Sequence, residues 1–484
     1  MRIDAILLRC VLALAAASCC AQPDYRLHAT ARPPAPSDPA VAGVLRTILP
    51  AHIEQTIKTL VGFGTRSTLS SMEPDLPVGQ GVRAAADWIA GQFEQISSQC
   101  GGCLEVHRDV FTADPSSSEG RWAKRIPRPT EMTNIYAILR GTDPAQASRM
   151  VLVTGHYDSR NTNILDARGA APGANDDASG VAVSLECARA LSKLHFPATI
   201  VFVAVAGEEQ GLVGSAHLAK LAREQGWQLE AVLNNDIVGG NTTPGDTLQL
   251  KDRVRVFSEG VPAAATPEQQ RRIFSLGQEN DSPSRELARA IADTARTYFP
   301  ATGPHFSAFL VARPDRYLRG GDHSSFNHEG FAAVRFTEWR EDYNHQHQNV
   351  VLPSAGSNVP VMGDLLQFVD FNYVARVARL NAATLATLAS APGVPQHVAI
   401  DTQNLEDGAT LHWDAPDGAP DGILYQVVWR ETTAPDWQYT IPPVQAIGAT
   451  GSSVTLTLPI SKDNVIFGVC SIDADGHRSL MVVP

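Results

Sequence analysis

Several features common in other protein classes are scarce or missing here, and each shortage excludes something. Beyond the N-terminus no segment approaches the ~18 consecutive apolar residues that a transmembrane helix needs. Basic residues are outnumbered, 39 Lys plus Arg against 51 Asp plus Glu, for a net charge of −12. No basic cluster offsets that balance, which argues against nucleic acid or an anionic membrane surface as the main partner. Seven cysteines in 484 residues are too few for a disulfide scaffold. No internal repeat is present. A hydrophobic fraction of 44% and a charged fraction of 19% leave an ordinary globular protein, long enough for one large domain and at least one smaller one.

The N-terminus, MRIDAILLRCVLALAAASCCAQ, sets Arg2 and Arg9 ahead of a short apolar run ending in small residues. That shape predicts a secretory signal over residues 1–21 and an exported, periplasmic or extracellular protein. Residues 16–19 (AASC) form a poor version of a bacterial lipoprotein signal, so a lipid anchor at Cys19 is a secondary expectation. Export makes CGGC, Cys100 to Cys103, a local disulfide. Gly101 and Gly102 favour a turn over a redox helix, and no second Cys pair lies nearby to complete a zinc site. Cys187 and Cys470 are expected to be free and buried.

Residues 22–45, rich in Pro and Ala, read as a linker or irregular arm. From 46 to 388 the segments VLVTG (151–155), TIVFVAVAG (199–207), AVLNND (231–236) and AAVRFTE (332–338) are short, apolar and β-branched, as strands buried on both faces are. Helical patterns such as GVAVSLECARALSKLHF (180–196) alternate with them. The expected fold class is therefore α/β: a mixed, largely parallel sheet covered by helices on both faces. A long helix is expected over 364–389, ended by SAPGVP. After it the periodicity drops to two, and about seven short strands over 391–484 predict an all-β sandwich. That region resembles a fibronectin type III domain in LHWDAP, YQVVWRE and VIFGVCSIDADGHRS.

In a parallel sheet, ligands sit at the C-terminal ends of the strands. There VLVTG runs into His156 and Asp158, TIVFVAVAG into Glu208 and Glu209, and AVLNN into Asp236, while Asp176 and Asp177 precede the helix that follows the first strand. Imidazole and carboxylates in one site suit zinc or a similar divalent ion, and a shared carboxylate is common between paired ions. Alone, His-X-Asp, Asp-Asp and Glu-Glu are ordinary surface or capping residues. Together at adjacent strand ends they predict a metal centre.

These segments resemble the bacterial di-zinc aminopeptidases with a phosphorylase/hydrolase-like fold, relatives of the secreted leucyl aminopeptidases, glutamate carboxypeptidases and glutaminyl cyclases. GHYDS looks like the segment with the first zinc ligand, His156, and its orienting Asp158. NDDASG implies Asp176 as the bridge between two Zn2+ ions, with a cis peptide to Asp177. GEEQGLVGS implies Glu208 as general base and Glu209 as ligand, and NNDIVGG supplies Asp236. The last ligand is a His four residues ahead of an acid or amide. Within EDYNHQHQNV both His345 and His347 are available, and spacing prefers His345, with Asn349 four positions on. Asp322 and His323 in GGDHSSFNHEGF are expected to order a loop rather than hold metal.

The resemblance implies a peptide substrate and hydrolysis at a free N-terminus. A glutamate carboxypeptidase is the nearest alternative; it would need a cation such as Arg160, Arg319 or Arg335 at the site. The cyclases replace the second Asp of the pair, so Asp177 speaks against that activity. A binding protein anchored through the sandwich is the rival from another class, and an intact Glu208 argues against it.

Overall fold

The computed structural model describes residues 23–117, 124–303, 305–354, 357–419, 422–445 and 453–484. The segment expected to be a signal (1–21) and Cys19 lie outside them. In chain order the arm carries α1 (Asp24–Leu27), β1 (Thr30–Ala31) and α2 (Pro39–Leu45). The large domain follows with α3 (Pro50–Gly62), α4 (Gly81–Gln99), β2 (Leu104–Ala113), β3 (Thr130–Leu139), β4 (Arg149–His156), α5 (Ala178–Leu191), β5 (Thr199–Val205), α6 (Val213–Glu224) and β6 (Gln228–Asn235). It continues through β7 (Arg253–Ser258), α7 (Pro267–Leu276), α8 (Pro283–Tyr298), β8 (Ser307–Val311), α9 (His323–His328), β9 (Ala333–Thr337) and α10 (Phe371–Ser390).

Strands β2 to β9 form one mixed sheet in the order β2-β3-β5-β4-β6-β9-β7-β8, whose central four strands, β5, β4, β6 and β9, run parallel. Alternation across the pleat covers both faces. Val151, Val153, Ile200 and Phe202 pack into the larger core with α3, α5 and α10, while Leu152, Val201 and Val203 pack with Leu218 and Ala222 of α6. The fold class read from the sequence is thus the one observed.

Two local expectations change. Of the arm expected over 22–45, residues 23–45 are described and carry regular elements: β1 pairs with the sandwich, and α2 is capped by Asp38, which accepts from the Ala40 and Val41 amides ahead of Pro39 at the first helical position. The helix expected from 364 starts at Phe371, because the Asp370 side chain caps it by accepting from the Tyr373 amide. Asp364, at the sequence-expected start, is bound elsewhere. Residues 251–285 form β7, α7 and the start of α8, and none of them lines the cleft described below.

The C-terminal strands are β10 (Gln396–Ile400), β11 (Ala409–Asp414), β12 (Leu424–Glu431), β13 (Tyr439–Thr440), β14 (Val444–Gln445), β15 (Ser453–Leu458) and β16 (Val465–Ile472). They make separate antiparallel sheets, β10-β11-β15 and a second built on β12, which close on a core of Leu411, Trp413, Tyr425, Trp429 and Phe467. A buried charged network fixes this sandwich to α8. Arg430 meets Asp281 at 2.5 Å, Arg289 pairs with Asp281 and Glu286, and Trp437 Nε1 donates to Glu286 Oε2 at 2.8 Å. Cys100 and Cys103 are disulfide-bonded, and Cys187 and Cys470 are free and buried.

Candidate metal centre

Register decides which side chains meet at the sheet edge. His156 closes β4 opposite Val205 of β5, and Thr154 stands opposite Asn234 of β6, so the residues leaving the three strands emerge side by side. After β5 the chain turns through Gly207, at φ 65°, where a Cβ would lie 2.7 Å from Met132 Sδ; glycine is required there to deliver Glu208 and Glu209. The segment between β4 and α5 is held by Arg66, fully buried, which donates to the carbonyls of Tyr157 (2.6 Å), Pro172 (2.6 Å) and Gly173 (2.9 Å). Burial pulls its pKa down to about 10.

The Asp176–Asp177 peptide bond is cis. Asp177 caps α5: Oδ1 accepts from the Gly180 amide at 2.8 Å and the Ile237 amide at 3.3 Å, and Oδ2 from the His156 amide at 3.1 Å. It ties the helix to the ends of β4 and β6 and leaves Asp176 facing the cleft. Asp364 fixes the same turn from outside, accepting from the Asn175 amide (2.8 Å) and the Asp176 amide (2.7 Å).

Two groups of donors result: His156, Glu208 and Asp236, and Asp176, Glu209 and His347, each with its ligand atoms within 4.8 Å of one another. Asp176 connects them. Its Oδ1 lies 3.1 Å from His156 Nε2, and its Oδ2 lies 2.8 Å from His347 Nε2. Glu209 Oε1 is 2.9 Å from His347 Nε2, and Asp236 Oδ1 is 3.9 Å from His156 Nε2.

His345, preferred on spacing, does not join them. Its ring stacks on Phe368 at 3.5 Å between centroids, and Nδ1 faces Thr243 Oγ1 (3.4 Å) and Asp342 Oδ2 (3.8 Å). The backbone is left-handed at His347, φ 59°, and it is this side chain that enters the cleft. Asn349, the residue behind the preference for His345, exchanges hydrogen bonds with Thr162 instead. No local pattern signals His347, because its neighbours Arg160 and Glu209 come from distant segments.

Asp158 sits where expected, and does more. Its Oδ1 is 3.4 Å from His156 Nδ1 and accepts from the Glu208 amide at 3.2 Å; its Oδ2 accepts from the Glu209 amide (3.1 Å) and Thr68 Oγ1 (2.9 Å). Arg335, fully buried, pairs with Asp236 Oδ1 at 2.9 Å and Asp315 Oδ2 at 3.2 Å. His323 Nε2 bonds the Pro314 carbonyl at 2.8 Å, a contact that orders the 314–323 loop.

The electrostatics are those of an acid-rich pocket. Burial opposes charge on His156, yet contacts with Asp158, Asp176 and Asp236 hold its pKa well above the usual value. Burial likewise works against His347, but Glu209 and Asp176 raise it to about 9. Burial, with Glu209, Asp236 and Asp322 nearby, pushes Glu208 well up, and Asp322 rises to about 7. His156 Nε2 and Glu209 Oε1 are buried and are left without a hydrogen-bond partner. Buried imidazole and carboxylate ligand atoms without hydrogen-bond partners, set among like charges, fit zinc. The cleft above them, about 560 Å³, is also lined by Arg125, Arg160, Arg316 and Arg319.

The description "Peptidase family M28" matches residues 134–351. A probable zinc metalloprotease of Pyricularia oryzae is 43% identical over 455 residues, covering 92% of this chain and 84% of that protein. Another, from Leptosphaeria maculans, is 40% identical over 452 residues, covering 93% and 98%. Among solved structures, LapB from Legionella pneumophila is similar at 19% identity and TM-score 0.49 (73% of this chain, 75% of that one). An aminopeptidase from Aneurinibacillus sp. strain AM-1 is similar at 15% identity and TM-score 0.47 (72% and 96%).

Proposed function

The chain belongs to peptidase family M28, beside probable zinc metalloproteases, and from that premise we propose that it is an exported two-zinc exopeptidase that hydrolyses N-terminal peptide bonds. The observation that carries the two-ion reading is the sharing of Asp176: one carboxylate oxygen faces each of two imidazoles, His156 and His347. His156 and Asp236 would hold one ion and Glu209 and His347 the other, with Asp176 between them. When bound, zinc supplies positive charge that polarises a carbonyl and acidifies a water. The disulfide Cys100–Cys103 suits the oxidising compartment that export implies.

The remaining work falls to the chain. Glu208 lies beside His156 and Asp236 without being needed to complete either side of the bridge. Its carboxylate takes a proton from the attacking water and returns it to the amide nitrogen as the carbon–nitrogen bond breaks. Asp158 holds His156 from behind and fixes the amides of Glu208 and Glu209, so base and ligand keep one geometry. Arg335 keeps Asp236 ionised and aimed.

The test is Glu208→Gln. Turnover of an aminoacyl anilide should fall at least about 100-fold while metal content stays near that of wild type; retained turnover would remove Glu208 from this role. The arginines of the cleft favour a second reading, a carboxypeptidase. Comparing the anilide with an N-blocked dipeptide separates the two.

A further inference from the structure

The walls of the cleft differ from its floor. Among the described lining residues there is no Leu, Ile, Val, Phe or Met, but there are four arginines. A large aliphatic substrate side chain finds no aliphatic partner among these lining residues, whereas an anion finds several donors.

Three of those arginines already hold protein oxygens. Arg125 Nη1 donates to the Glu209 carbonyl at 2.6 Å, Arg160 Nε to Glu209 Oε2 at 2.9 Å, and Arg316 pairs with Asp315 (3.0 Å) and Glu341 (2.5 Å). Arg319 is different. Among the described residues no carboxylate lies within ion-pair distance of it; its guanidinium reaches Gln346 Oε1 at 3.5 Å and lies 5.8 Å from the centroid of the Tyr343 ring. Ring and amide together orient the guanidinium while leaving most of its five N–H donors unused. Gln346 also donates to Asp176 Oδ2 at 3.1 Å, so the side chain that steadies Arg319 also contacts the bridging carboxylate.

We propose that Arg319, set against Tyr343 and Gln346, is the carboxylate receptor of this cleft, and that the substrates are short peptides with a carboxylate close to the scissile bond. An Asp or Glu side chain and a free C-terminus present the same group, and planar guanidinium pairs with either in bidentate fashion. The proposal rests on the peptidase reading above and adds its substrate class and the residue that selects it.

The experiment uses the zinc-loaded full chain. Values of kcat/KM are compared for Ala-Glu amide against Ala-Gln amide, and for Ala-Ala against Ala-Ala amide. The expected result is at least a 10-fold advantage for the charged member of one pair, and the pair that shows it identifies the source of the carboxylate. Arg319→Gln should erase that advantage mainly through KM of the charged peptide, Arg319→Lys should restore part of it, and Tyr343→Ala should reduce it. Equal rates on charged and neutral members, or an Arg319→Gln variant that loses both to the same extent, would overturn the assignment while leaving the peptidase reading intact. Failure of the wild type to cleave any of the four peptides, or an aminoacyl anilide, would overturn both.

Discussion

Asp176 and His347 face each other across the cleft, Oδ2 to Nε2, at 2.8 Å, while the other oxygen of the same carboxylate lies 3.1 Å from His156 Nε2. One short side chain therefore stands between two imidazoles that reach it from the end of β4 and from the loop after β9. Asp176→Asn keeps the size of the side chain but removes its charge, and gives one of its two positions a nitrogen that cannot ligate. Turnover should fall at least about 100-fold, with zinc retained at less than the wild-type ratio; the check is metal analysis beside a kinetic assay.

Asp158 is fully buried, and four groups depend on it: the His156 ring, the Thr68 hydroxyl and the amides of Glu208 and Glu209. Asp158→Asn should lower zinc affinity or kcat by about 10–100-fold. Competition against a chelator of known affinity measures the first, and an unchanged circular dichroism spectrum shows that the fold survives.

Glu259 offers a pH test away from the metal. Burial raises its pKa to about 7, against the Ala263 amide bond and the facing Arg285, which favour the charge. A raised carboxyl pKa means that the native state prefers the proton, so its stability contribution is present below about pH 4.5 and is lost as pH rises through about 7. Glu259→Gln should therefore leave Tm close to wild type at pH 4.5 and raise it by a few degrees at pH 8. A Tm difference independent of pH would contradict this.

Much of this was legible because strand ends are local. His156, Glu208, Glu209 and Asp236 each terminate an apolar run whose burial sets the sheet, so sequence order alone brings them to one edge. The roles within the Asp176–Asp177 pair were legible only through the family resemblance of NDDASG; Asp177 serves as the cap of α5. His347 was not. Its selection depends on a left-handed turn and on Phe368, which stacks with His345 and keeps that ring out of the cleft. Arg66 and Asp364 were equally hidden, because each acts on atoms distant from it in the sequence, without periodicity or motif; Arg335 was read only as a cation for a substrate carboxylate, whereas it pairs with Asp236 and Asp315. The order of the 22–45 arm was missed for a related reason: its strand exists only by pairing with β13.

The most direct test of the two-ion centre is zinc content per chain, measured after dialysis against metal-free buffer, in the wild type, His347→Ala and His345→Ala. The account predicts two ions in the wild type, at most one in His347→Ala, and two in His345→Ala, whose loss of the Phe368 stack should lower only stability, by about 1 kcal/mol. One ion in the wild type, or loss of an ion from His345→Ala with His347→Ala unaffected, would contradict it.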